Sequence, residues 1–231
     1  MFVEDIIMTN VIVLNGCLRM EKSDTEKLLA PFLEGIKQAG ASVETFYIKR
    51  LTITPCAGDL HCWIKNQGVC HIADDMQMLY PKLRAADIVV FTTPVYIPLP
   101  GEMQNLFNRL MPLIDPVLKE RNGRTRARFH PNVKIKKTVL VSSSGWWEKG
   151  NFGTVQRIVK EFAADASIEF TGALLRPHVD YLFKNDKKAK EIYTAAKKVG
   201  IQLIKEGKMS KRLLDIISQP LVSHTGFIKK N

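Results

Sequence analysis

The chain has no long apolar run. Nothing in it approaches the roughly 18 consecutive apolar residues of a membrane-spanning helix, so no span is expected. Cysteine is scarce, four in 231 residues, which excludes a scaffold built on disulfides. The opening Met-Phe-Val-Glu-Asp carries acid where a secretory signal needs positive charge, and its apolar run is too short; the pattern predicts a cytoplasmic protein. Internal repeats and low-complexity segments are missing as well. Acid is outnumbered, with 23 Asp and Glu against 34 Lys and Arg, for a net charge of +11. What is present reads as an ordinary globular chain, 45% hydrophobic and 25% charged, and long enough to bury a sizeable core.

The excess base is concentrated at residues 119–137, through Arg121, Arg124, Arg126, Arg128, Lys134, Lys136 and Lys137, and in the C-terminal third. Phe129 is the one aromatic residue in that run, and no nucleic-acid-binding motif lies near it. The run is expected to be a solvated insert, about 119–136, rather than a nucleic-acid surface.

The organising stretch is residues 11–25. Val11, Ile12, Val13 and Leu14 form a short buried-strand pattern, and a Gly-led polar loop follows. From Ser23 the spacing changes, and Leu28, Leu29, Phe32, Leu33 and Ile36 fall on one helix face. Further strands are predicted at 42–48, 87–93, 138–142 and 168–175, and helices at 74–83, 101–114, 151–164 and 187–205. Pro81 predicts a kink or restart in the helix at 74–83. An amphipathic turn or two at 213–217 precedes Pro220. The chain is thus divided into a main domain, 1–208, and a C-terminal extension, 209–231.

Strands alternating with helices make a parallel sheet covered on both faces. Right-handed crossovers bring the loops at the strand carboxyl ends to one edge, where ligands bind. The first such loop makes an anion site. A helix N-terminus has unpaired N–H groups and partial positive charge, Gly16, Cys17, Ser23 and Thr25 add small groups, and Arg19 adds a fixed cation. The third strand leads into Pro94, Val95, Tyr96 and Ile97, a stiff backbone with one aromatic. The fourth leads into Ser143, Ser144, Gly145, Trp146 and Trp147, small donors with two tryptophans. Together the three loops suit a planar, partly polar ring carrying a phosphate, as in flavin mononucleotide (FMN).

On these residues the chain resembles the flavodoxin-like NAD(P)H-dependent FMN reductase family, in the branch related to iron–sulfur flavoproteins. Gly16, Arg19, Ser23 and Thr25 match the family's phosphate loop, with Cys17 where Ser is usual. Thr93-Pro94-Val95-Tyr96 matches its flavin-ring loop, and Asn108-Arg109 stands where the next helix often ends in Asp-Arg. Gly145, Trp146, Glu148, Asn151 and Phe152 are similar to its third flavin loop. The resemblance implies a doubly wound five-stranded parallel sheet of order 2-1-3-4-5, FMN as cofactor and a homodimer or larger homo-oligomer. It also implies NAD(P)H as hydride donor and a quinone, nitro or azo compound, or similar acceptor. Backbone N–H groups at 144–147 are then expected at the pyrimidine edge of the ring and the backbone of 95–97 at its side, with Tyr96 and Trp146 stacking.

Iron–sulfur relatives carry a compact cysteine cluster. Here Cys56, Cys62 and Cys70 occur with Asp59 in the second cysteine's place, and then Asp74-Asp75-Met76. A four-iron cluster needs four thiolates or an unusual substitute, so a remnant loop near the flavin is expected, without metal. Trp63 in that loop is read as packing. Hydride transfer needs no side-chain acid or base, and no Ser/His/Asp or Cys/His arrangement is nominated. The five histidines, His61, His71 and His178 among them, are read as surface or loop residues. Two other readings compete: a one-electron carrier, whose acidic surface this basic chain lacks, and a regulatory or nucleic-acid-binding module that kept the fold without the cofactor.

Overall fold

A computed structural model describes residues 8–182 and 186–230, without the side chain of Asp186. The acidic opening at residues 1–5 lies outside the described residues. Five strands form the main sheet: β1 (Asn10–Asn15), β2 (Ser42–Tyr47), β3 (Ile88–Pro94), β6 (Lys137–Ser143) and β7 (Glu169–Arg176). Their order is β2-β1-β3-β6-β7 and every pair is parallel. Counting these strands alone, that is 2-1-3-4-5, the flavodoxin-like order. The chain leaves β1 toward β2 and returns on its other side as β3, so the loops after β1 and β3 part and open a crevice.

Helices α1 (Asp24–Gln38) and α6 (Asp186–Glu206) cover one face. Their apolar stripes meet Val11, Val13, Val90 and Val139 in one core. Glycine sets how closely they approach. A Cβ on Gly35 would lie 2.0 Å from the Lys197 carbonyl oxygen, and one on Gly200 2.2 Å from that of Phe32. Helices α3 (Met76–Ala85), α4 (Gly101–Asn108) and α5 (Gly153–Ala166) cover the other face. There Leu79, Leu83, Met103, Leu106 and Val159 pack on Ile12, Leu14, Phe91 and Leu140. A short helix α2 (His61–Ile64) lies in the cysteine-bearing loop.

Several expectations need correction. The helix expected over 101–114 stops at Asn108, where the Arg109 N–H caps it; a 3-10 turn, Met111–Leu113, follows. Pro112 has no N–H to continue the ladder and disfavours a helical Met111. Helix α3 runs through Pro81 without a break. The proline leaves the Gln77 carbonyl without its usual helical donor. The basic insert is not a solvated loop. It belongs to an antiparallel hairpin, β4 (Ile114–Arg121) and β5 (Arg124–Phe129), laid against α5. Arg126 pairs with Asp165 at 2.6 Å and Glu161 at 2.8 Å, Arg124 pairs with Glu161 at 3.1 Å, and Arg121 donates to the Ala164 carbonyl at 3.0 Å. The extension forms α7 (Lys211–Ser218) and a helix with no sequence forecast, α8 (His224–Ile228). Ile217, Leu221 and Phe227 from it are buried in the first core.

Candidate functional site

The turn after β1 is built by its own short-range bonds. Gly16 N–H donates to the Thr92 carbonyl at 2.8 Å, tying the turn to β3, and the Asn15 side chain accepts the Cys17 N–H at 3.0 Å. The Asn15 amide donates in turn to Glu26 at 2.8 Å. A 3-10 turn, Met20–Lys22, leads to Ser23, whose hydroxyl caps α1 by accepting the Glu26 N–H at 3.1 Å. That cap leaves the first N–H groups of α1 facing outward with the positive end of the helix dipole.

A cleft of about 190 Å³ opens over this helix end. Cys17, Arg19, Ser23 and Thr25 wall it from the first loop, Pro94, Val95 and Tyr96 from the second, and Ser143, Ser144 and Gly145 from the third. Gly16, Ile97 and Trp146 are not among its walls. Gly16 instead lets α4 approach, since a Cβ there would meet Met103 Cβ at 2.9 Å. Leu18, Asp24, Val179 and Asp180 also line the cleft and escaped the sequence reading. The last two come from the turn after β7, which has no glycine-rich or hydroxyl-rich signature.

Thr25 and Ser143 share a hydrogen bond of 2.6 Å between their buried hydroxyls, joining the first and third loops. Arg19 reaches Asp24 at 2.5 Å with two-thirds of its side chain in solvent. The Cys17 thiol is fully buried, and burial raises its pKa despite contacts with Ser23 and Thr25. It therefore stays a neutral thiol at pH 7 and adds no negative charge to the cleft.

The backbone donors expected at the ring are only partly free. Ser144 N–H is bonded to the Arg176 carbonyl at 3.0 Å and Trp146 N–H to the Ser144 hydroxyl at 3.1 Å. Gly145 and Trp147 remain as that loop's donors. Val95 N–H is taken by the Ser143 carbonyl at 2.8 Å and Tyr96 N–H by the Pro98 carbonyl at 3.2 Å, which leaves Ile97. Tyr96 is 50% exposed, Trp146 66% and Ile97 fully so, an apolar ledge beside the cleft.

The cysteine loop does not wall this cleft. Cys56, Cys62, Cys70 and Trp63 line a separate cavity of about 660 Å³, floored by Phe107, Met111 and Phe162 and closed by the hairpin. Arg109, expected as part of a family motif, is buried at the base of that loop and bonds Asp74. His178 departs from its expectation: it lies in a loop but is 1% exposed, and burial and Arg176 push its pKa down to about 4.

An open parallel sheet with a hydroxyl-lined anion cleft at its strand-order reversal defines a mononucleotide-binding α/β protein of the flavodoxin class. The profile of the NADPH-dependent FMN reductase family matches residues 9–163, and the chain belongs to that family, whose cofactor is FMN. Over 85 residues it is 35% identical to an iron-sulfur flavoprotein of Methanosarcina thermophila, covering 36% of this chain and 44% of the relative. Over 104 residues it is 30% identical to an iron-sulfur flavoprotein of Methanocaldococcus jannaschii, covering 45% of this chain and 52% of that one. The chain thus spans about half the length of these curated relatives. An NAD(P)H:quinone oxidoreductase from Methanothermobacter marburgensis superposes with a TM-score of 0.58 at 17% identity, over 85% of this chain and 97% of that one. An FMN-dependent NADH-azoreductase from Bacillus anthracis, in complex with FMN, gives 0.61 at 12% identity, over 86% and 100%. At such identities the likeness is one of fold.

The cleft fits the phosphate end of FMN. Helix N–H groups, hydroxyls and Arg19 are donors for a phosphate monoester, and a neutral Cys17 does not oppose it. At about 190 Å³ the cleft is smaller than the roughly 300–1,000 Å³ of a complete ligand pocket. An iron–sulfur cluster does not fit in the same way. Asp59 replaces a thiolate, and among the described residues no three potential ligands are arranged to hold a metal.

Proposed function

We propose that the chain is an FMN-dependent NAD(P)H oxidoreductase that passes reducing equivalents to a quinone, a nitro or azo compound, or a similar acceptor. The observation that carries this is the convergence of three separate loops on one cleft at the N-terminus of α1. Ser23, Thr25, Arg19 and the first N–H groups of α1 hold the phosphate, with Cys17 packed beneath and Gly16 keeping the turn close to α4. Ser143 and Ser144 line the path from phosphate to ring. Pro94, Val95, Tyr96 and Ile97 form one side of the ring site, and Gly145 and Trp146 the other. Held by these loops, FMN would supply the hydride chemistry between a nicotinamide and the acceptor. The Gly145 and Trp147 N–H groups are donors for the ring's pyrimidine edge and act as an oxyanion hole acts. No side chain need move a proton, so no catalytic residue is assigned.

The ledge of Tyr96, Ile97 and Trp146 leaves one ring face to water, and a second copy of the chain that covers it makes the active unit a homodimer. Four free cysteines accord with a reducing, cytoplasmic setting, where nicotinamide coenzymes are supplied. Stopped-flow mixing of the FMN-loaded protein with NADH or NADPH tests the activity. Rapid bleaching of the flavin is expected; a slow or absent bleach makes the protein an electron carrier instead. Light scattering of the same sample tests the dimer.

A further inference from the structure

The end of the chain is tied to the ring-side loop through two buried basic residues. Arg176, the last residue of β7, is 0% exposed and has no ion-pair partner among the described residues. Its guanidinium donates to carbonyls: Nε to Pro177 at 2.8 Å, Nη1 to Ile217 at 2.6 Å and Nη2 to Gln219 at 2.7 Å. Ile217 and Gln219 are the last turn and C-cap of α7. Carbonyls there lack helical donors and carry the negative end of the helix dipole. A buried cation without such partners costs several kcal/mol. The extension therefore supplies the carbonyl dipoles that solvate Arg176.

Two residues on, His178 has left-handed backbone angles, φ 39° and ψ 51°, a region that histidine enters more readily than most residues other than glycine. Its Nε2 accepts the Leu221 N–H at 3.0 Å, and its ring stacks on Trp147 at 6.2 Å and meets Phe227 edge-on at 6.2 Å. The Trp147 indole N–H donates to the Val222 carbonyl at 3.0 Å. The backbone of the same segment is sewn to the loop after β6. Ser144 N–H donates to Arg176 at 3.0 Å, His178 N–H to Trp146 at 2.7 Å, and Val179 N–H to Ser144 at 3.0 Å. The family profile ends at residue 163, before Arg176, His178 and both terminal helices.

We infer that residues 211–228 are a brace that sets the position of Gly145–Trp147 and through it the reduction potential of the flavin, with Arg176 and His178 as positioning residues. This rests on the FMN assignment above. Gly145 lies in an exposed turn whose neighbours Ser144 and Trp146 are bonded to residues 176–179, which the brace holds in turn, and Trp147 is tied to the brace directly at Val222. Donors fixed in advance favour the electron-richer, reduced ring more than mobile donors do. Loosening the brace weakens binding of reduced FMN more than of oxidised FMN.

The test uses the full chain loaded with FMN and the variants Phe227→Ala, which removes the buried ring that α8 sets against His178, and Arg176→Lys, which keeps the charge but loses the fork. Both are expected to take up one equivalent of oxidised FMN with a Kd within about threefold of the parent. The ratio of reduced to oxidised affinity is expected to fall about tenfold, a drop of about 30 mV in the two-electron midpoint potential. The visible circular dichroism of the flavin shifts with it. Gly35→Ala, which strains the fold between α1 and α6, leaves the potential unchanged. Parent-like potentials in Phe227→Ala and Arg176→Lys overturn the brace, as does an equal shift in Gly35→Ala. Should Arg176→Lys not fold, Phe227→Ala alone decides. A parent chain that takes up no FMN fails at the first titration, and there it is the cofactor assignment that falls, the brace with it.

Discussion

The Arg109 guanidinium and the Asp74 carboxylate meet at 2.6 Å, with side chains 1% and 3% exposed. Arg109 also donates to the Thr54 carbonyl at 2.6 Å, and Asp74 accepts the N–H groups of Thr54 at 2.9 Å and Met76 at 3.0 Å. The pair closes the cysteine-bearing loop at its base. Burial alone would raise the Asp74 pKa; the bonds from Arg109 and the two N–H groups bring it below the usual carboxylate value. Removing one partner of a buried pair leaves the other uncompensated, at a cost of roughly 3–5 kcal/mol. Asp74→Ala is expected to lower the urea midpoint accordingly and to expose residues 55–71 to protease. Because the folded pKa is depressed, this stability is full above the unfolded carboxylate pKa and is lost as pH falls through the folded one.

Arg19 separates stability from binding. Its pair with Asp24 is largely in solvent, so Arg19→Ala should change stability by no more than about 1 kcal/mol. Loss of a charge-assisted contact with phosphate, about 1.5–3 kcal/mol, should raise the Kd for FMN roughly 10- to 100-fold. Flavin-fluorescence titration reads this directly. An unchanged Kd would remove Arg19 from the phosphate site.

Two glycines make a second contrast. Gly16→Ala places a Cβ 2.9 Å from Met103 Cβ and Sδ, pushing α4 from the phosphate turn. It is expected to cost about 1–3 kcal/mol and to weaken FMN binding. Gly35→Ala meets a backbone oxygen at 2.0 Å, which cannot swing aside. Its loss of stability should be larger, while FMN binding by the folded fraction is retained. Urea unfolding and FMN titration on both variants check the pair.

His178 makes stability depend on pH. Its pKa falls from 6.5 to about 4 on folding, by burial first and Arg176 second. Between those values the unfolded chain binds the proton and the folded chain does not, so stability is full above about pH 6.5 and declines as pH falls toward 4. The contribution is on the order of 3 kcal/mol. His178→Asn, which also tolerates left-handed angles, should flatten the decline between pH 6.5 and 4 in thermal melts. A variant that declines as steeply as the parent would assign that slope to other groups.

Most of the main sheet was legible. The apolar run of Val11–Leu14 and the helical spacing from Leu28 to Ile36 recur as buried faces of β1 and α1, because burial on a regular element leaves a period in the sequence. Ten of the nominated site residues, from Cys17 to Gly145, do line one cleft, since loops at the carboxyl ends of parallel strands must share an edge. The helix end at Asn108 was missed although Pro112 marks it. The hairpin was missed because its arginines read as solvated charge until Glu161 and Asp165 of α5 are set beside them.

The periods along the chain were enough to specify a parallel sheet covered on both faces, with the loops after its strands gathered at one rim. Folding alone brought Asp180 into the cleft, Asp74 to Arg109 and the carbonyl of Ile217 to Arg176. Those partners stand dozens of residues apart, and a contact between distant residues imposes no spacing on the chain that a sequence can display.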